Sequence, residues 1–115
     1  MSKRNDRALL KDIELCIQKI QSYTAGMSAE QFEQDERTQD AVIRNLEVIG
    51  EATKSLSEHI REEYGTIPWR AIARTRDKLI HHYFGVNLDT VWQIAKDELP
   101  QLLVVVSQAL TELDA

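Results

Sequence analysis

The sequence predicts an all-α protein, a four-helix bundle in a single domain spanning residues 1–115. Two features carry that expectation. Apolar residues recur three and four positions apart in four stretches, which is the spacing of one helix face, and no run alternates as a half-buried strand would. Only four glycines and two prolines interrupt the 115 residues, so long loops and linkers have little room. A chain of this length can bury a core without a disulfide or a structural metal.

The first helix is expected from Asn5 to Ala25, with Leu9, Leu10, Ile13, Cys16, Ile17, Ile20 and Tyr23 as its apolar stripe. Gly26 follows where a helix commonly stops. Ser28 and Gln31 then have the form of a capping box, opening a short turn that holds Phe32. A second long helix is expected from Thr38 to the break at Tyr64-Gly65-Thr66, its seam being Val42, Leu46, Ile49, Thr53, Leu56 and Ile60. Its acids interleave with Arg44 and Lys54, so they read as a solvated face rather than as metal or proton chemistry. Gly50 inside this helix costs about 1 kcal/mol against alanine, which suggests the close approach of another helix, from this chain or a second subunit. Thr66 can cap the third helix, with Pro68 in its first turn, Trp69, Ile72, Ala73, Leu79 and Ile80 on the buried side, and Phe84-Gly85-Val86 as its end. Asn87 or Asp89 caps the fourth, which carries Leu88 to Leu110 and is expected to kink at Pro100, since that residue cannot donate to the carbonyl of Lys96.

Charge is distributed unevenly. Residues 1–66 hold nine Lys/Arg against thirteen Asp/Glu, and residues 83–115 hold Lys96 against five acids. Residues 67–82 hold Arg70, Arg74, Arg76 and Lys78 against Asp77, a basic island in a chain of net charge −5. Such an island can draw a phosphate locally while the molecule as a whole binds nucleic acid poorly. Cys16 is the single cysteine, which excludes an intrachain disulfide and suits a reducing, cytoplasmic setting. The start lacks the apolar run of a signal peptide, and no segment approaches the ~20 apolar residues of a membrane span.

Within the island, Arg76-Asp77-Lys78-Leu79-Ile80-His81-His82-Tyr83 concentrates groups able to hold a phosphate or move a proton. The chemistry they suggest is phosphodiester cleavage without metal. Histidine exchanges protons near neutral pH, and the arginine fork holds a phosphate and the charge that grows on it. Asp77 could orient His81 or fix Arg76. Arg76 and His81 are five residues apart, about 140° around a regular helix, so a frayed helix end or a second chain would have to complete the site. The competing interpretation is an ordinary polar helix end, since the macrodipole favours cations there in any protein. Adjacent His81 and His82 point apart and have no acid or cysteine at ligand spacing, which disfavours a metal site. Cys16 sits in an apolar stripe, which disfavours a thiol nucleophile.

Arg76-x4-His81-x-Tyr83, followed by Asp89-x-Val91-Trp92 and Leu99-Pro100-x-Leu102, resembles the HepT-like branch of the HEPN superfamily. The run from Ala41 to Ala52 is similar to that family too, and the resemblance extends from about Leu9 to Leu110. It implies a HEPN-type four-helix up-and-down bundle that forms a homodimer, with the Arg-x4-His motifs of two subunits facing a shared cleft. It further implies a metal-independent endoribonuclease toxin of a type II-like toxin–antitoxin pair, neutralised by an MNT-type nucleotidyltransferase antitoxin. By motif match the catalytic roles fall on Arg76 and His81, a supporting role on Asp77, and adenylylation by the antitoxin on Tyr83. RNA would be the substrate, with no cofactor. His82 occupies a variable position and contributes only local charge. The net charge departs from that of a tight RNA binder; pairing two basic islands in a dimer would offset it, and an adenylyl group on Tyr83 would oppose RNA by repulsion and blockage. The alternative is a non-catalytic HEPN dimer that binds a nucleotidyltransferase partner or a nucleotide.

Overall fold

The computed structural model describes residues 5–81 and 87–115, the side chains of residues 76–78, 80 and 81 lying outside the description. Its elements run α1 (Asp6–Thr24), α2 (Ala29–Glu33), α3 (Glu36–Ser55), α4 (Glu58–Glu63), α5 (Trp69–His81), α6 (Leu88–Gln93), a π-helical turn (Ile94–Glu98) and α7 (Leu99–Asp114). No strand occurs among the described residues, as the all-α prediction requires.

Local chemistry sets the boundaries. The Asn5 side chain accepts the Ala8 N–H at 2.8 Å and opens α1. Gly26 adopts φ +72 directly after that helix, a conformation glycine takes without penalty. Ser28 and Gln31 form the expected capping box of α2. Asp35 accepts both the Thr38 N–H and its hydroxyl, so α3 starts at Glu36, two residues before the expected position.

The second long helix is not continuous to Tyr64. Leu56 leaves the helical region, and Ser57 caps a separate α4 through its hydroxyl and the Ile60 N–H. Asp6 holds that corner from the far end of the sequence, accepting the Ser57 N–H at 2.9 Å and its Oγ at 2.6 Å. A serine that can bond its own downstream backbone competes with the helix ladder, and here it prevails. The third helix begins at Trp69, with the Ile72 N–H donating to Pro68; its first turn is organised by this proline and by Trp69 Nε1 donating to the Tyr64 carbonyl at 3.1 Å, with no cap from Thr66. Its expected end at Phe84-Gly85-Val86 lies outside the described residues. Asn87, not Asp89, caps α6, accepting from Asp89 and Thr90.

Around Pro100 the helix changes winding. Leu99 N–H reaches five residues back to Ile94, and α7 resumes with the proline in its first turn, where a missing N–H is tolerated. This is a widened turn rather than a demonstrated bend, and the kink expected at Pro100 is not part of what it shows.

α1 packs against α3 and α7, and α3 against α5. The helices run up and down: the start of α1 meets the end of α7 through Arg7–Asp114, and its end meets the π turn through Lys96. Leu10, Ile13, Ile17 and Ile20 of α1 and Val42 and Ile49 of α3 are almost wholly inaccessible. Each such side chain contributes about 1.5–3 kcal/mol by leaving water. Gly50 is buried on α3, a helix flanked within this chain by α1 and α5.

Candidate functional site

α5 carries the motif positions, and packing fixes its course. Trp69 is buried at its start and Leu79 near its end, with Ile72 partly buried between them. Arg70 and Arg74, by contrast, are exposed. Spacing on the helix then separates the motif positions. Position 76 falls four residues after Ile72 and three before Leu79, on the line of the buried side. Position 81, the last of α5, falls on the line of Arg70 and Arg74. The structure thus places Arg76, Asp77 and His81 in the last two turns of one helix, and the backbone alone does not bring positions 76 and 81 onto one face. Their side chains lie outside the described residues, as does Tyr83 altogether.

The five residues 82–86 join two held ends. At one, Leu79 is seated in the core. At the other, the Asn87 cap starts α6, whose Trp92 ring lies 5.2 Å from that of fully buried Phe32. Lys96, in the π turn, places Nζ 4.9 Å from the centre of the Trp92 ring and donates to the Thr24 carbonyl at 3.2 Å. One lysine therefore ties the end of α1 to α6, the helix that follows the motif in the sequence. Sequence reasoning missed this tie. The available signal was Lys96 itself, the one base in residues 83–115, four positions after Trp92.

Two cavities lined by the described residues flank the bundle. The larger, about 1000 Å³, lies between α1, α3 and α4. Its walls hold Asp6, Asp12, Glu47, Glu51 and Glu58 against Arg44, Lys54 and Arg61, a net negative lining that repels phosphate. The smaller, about 180 Å³, is a mostly apolar notch between α3, α5 and the π turn with α7. Among the described residues no three His, Cys, Asp or Glu side chains cluster as metal ligands. Nor is any described helix long and apolar enough to cross a membrane. Cys16 is buried in α1, and burial pushes its thiol pKa up, away from nucleophilic use.

Comparison with known proteins gives these positions a context. Residues 13–109 match the family model described as "Ribonuclease HepT-like". A Methanocaldococcus jannaschii protein named "Putative RNase" is 41% identical over 99% of this chain and 94% of its own length. A Thermococcus cleftensis protein named "Probable ribonuclease HepT" is 44% identical over 87% of this chain and 91% of its own. A second M. jannaschii "Putative RNase" is 47% identical over 89% of this chain and 88% of its own. No solved structure matches the chain.

Proposed function

Because the chain belongs to the HepT-like ribonuclease family of the HEPN superfamily, we propose that it is a metal-independent endoribonuclease acting through Arg76 and His81. The observation that carries this reading is the family match itself, which spans residues 13–109 and so encloses the whole Arg-x4-His segment of α5.

In the proposed reaction His81 removes the proton from a ribose 2′-hydroxyl. The 2′-oxygen attacks the adjacent phosphorus, the bond to the 5′-oxygen breaks, and that oxygen leaves with a proton supplied by the site. The products are a 2′,3′-cyclic phosphate and a 5′-hydroxyl, and water takes no part in the step. Arg76 holds the phosphate by its bidentate fork and stabilises the charge that develops on the non-bridging oxygens. Asp77 positions one of the two.

The helical offset between positions 76 and 81 favours a site completed by a second subunit, so we assign the active form as a homodimer with two motifs facing one cleft. We assign its setting as a cytoplasmic toxin–antitoxin pair, with Tyr83 as the residue an MNT-type nucleotidyltransferase antitoxin would adenylylate. An adenylyl phosphodiester at that position would bring negative charge and bulk to the path of the RNA backbone.

The test is cleavage of RNA in excess EDTA. Wild type cuts, and both His81→Ala and Arg76→Ala lose at least about a hundredfold, the scale of a positioned acid–base group. Undiminished cleavage by His81→Ala would remove histidine from the mechanism.

A further inference from the structure

We propose that the exposed face of α5 is a phosphate track for single-stranded RNA, in which Arg74 and Arg70 hold phosphates on one flank of the scissile one. The proposal rests on the nuclease reading above for the place where the strand is cut, but not for the track itself.

Arg70 and Arg74 are both exposed on α5. Continuing at helical spacing, positions 78 and 81 fall on the same side, so Arg70, Arg74, Lys78 and His81 succeed one another by four, four and three residues. At about 1.5 Å per residue the step from Arg70 to Arg74 is about 6 Å along the helix, comparable with successive phosphates on an extended strand. Trp69 and Leu79 are buried on the other side of α5, while Arg70 and Arg74 are exposed on this one. A single row of cations matches one strand, whereas a duplex is held across a groove through two rows of phosphates.

The surroundings differ in charge from this row. The residues on either side of the island are net acidic, and the large cavity between α1, α3 and α4 has a negative lining. A phosphate is therefore favoured along α5 over that cavity. The track runs from the motif end of α5 back toward Trp69, so it contacts one flank of the cleavage site and makes no use of base edges. Point charges on a flexible backbone are what a sequence-tolerant binder of single strands employs.

The probe is a short fluorescein-labelled 2′-O-methyl RNA, which lacks the attacking hydroxyl and cannot be cut by the proposed reaction. Its affinity for the intact protein is followed by anisotropy over a series of salt concentrations. Each phosphate contact contributes about 0.7 to the slope of log affinity against log salt for a single strand. Arg74→Ala and Arg70→Ala are each expected to lower the slope by about 0.7, and the double variant by about 1.4. Arg44→Ala, an exposed arginine beside the acidic cavity, is expected to leave it unchanged. A double variant with the wild-type slope, or an Arg44→Ala variant that loses as much, overturns the track. Unmodified RNA of the same sequence is followed for cleavage in parallel. Lowered slopes in a protein that cuts nothing uphold the track and sink the nuclease reading alone. Cleavage by wild type with an unmoved slope in the double variant does the reverse.

Discussion

Replacing Lys96 by methionine probes the tie between the end of α1 and α6. Methionine keeps the length and apolar stem but deletes the charge and the donors. The hydrogen bond from Nζ to the Thr24 carbonyl, at 3.2 Å, is charge-assisted, a class worth about 1.5–3 kcal/mol. The lower half of that range applies here, because the Thr24 carbonyl also accepts the Met27 N–H at 3.1 Å and is not orphaned. Loss of the cation over Trp92 removes about 0.5–1 kcal/mol more. A thioether beside the same ring returns about as much. The net expectation is a loss of about 1.5 kcal/mol. For a domain of this size that lowers the thermal midpoint by about 6 °C. Urea titration should show an earlier midpoint with an unchanged slope. Lys96→Arg, which keeps a cation, should recover at least half. A loss below about 0.5 kcal/mol, or equal losses in both variants, would show that the lysine does not carry this corner.

Other perturbations follow from the same packing. Thr53 is 1% exposed and its Oγ1 has no hydrogen-bond partner among the described residues, so Thr53→Val should raise stability by about 1 kcal/mol in the same urea assay. Asp6→Ala removes two acceptors from the Ser57 corner and should cost about 1 kcal/mol, with earlier amide exchange at Ser57 and Ile60. Asp35 is held below its ordinary pKa of 3.8 by its hydrogen bonds to Thr38, so its contribution is present above that value and disappears as pH falls through the folded one. Glu33 has the opposite sign. Its hydrogen bond with Asp89 raises it above 4.5, so that contact stabilises below 4.5 and is lost as pH rises through the folded value. Carbon-13 titration of the two side chains should move them in opposite directions, and parallel shifts would refute the assignment.

Most of the fold was legible because it depends on local spacing. The stripes of α1 and α3 recur at helical period, and Val42, Leu46, Ile49, Thr53, Leu56 and Ile60 are all buried as their seam requires. The seam hid the break at Leu56–Ser57, since an apolar period continues smoothly across a corner that Ser57 and distant Asp6 create. Such a contact spans the sequence and leaves no local trace. The π turn was not legible either: Pro100 signals trouble with the ladder, but the sequence does not say whether the chain bends or widens there. For the candidate site, the sequence supplied residue types, family resemblance and the offset between positions 76 and 81. Lys96 stood out only as a lone base four positions after Trp92, and its partner, a carbonyl 72 residues away, left no local trace.

The central claim is the chemistry assigned to Arg76 and His81, and the ends of the cut RNA test it most directly. In EDTA, wild type should leave a 2′,3′-cyclic phosphate on one fragment and a 5′-hydroxyl on the other, and His81→Ala and Arg76→Ala should leave neither above background. A 3′-hydroxyl with a 5′-phosphate, the signature of attack by water at the other side of phosphorus, would contradict the mechanism.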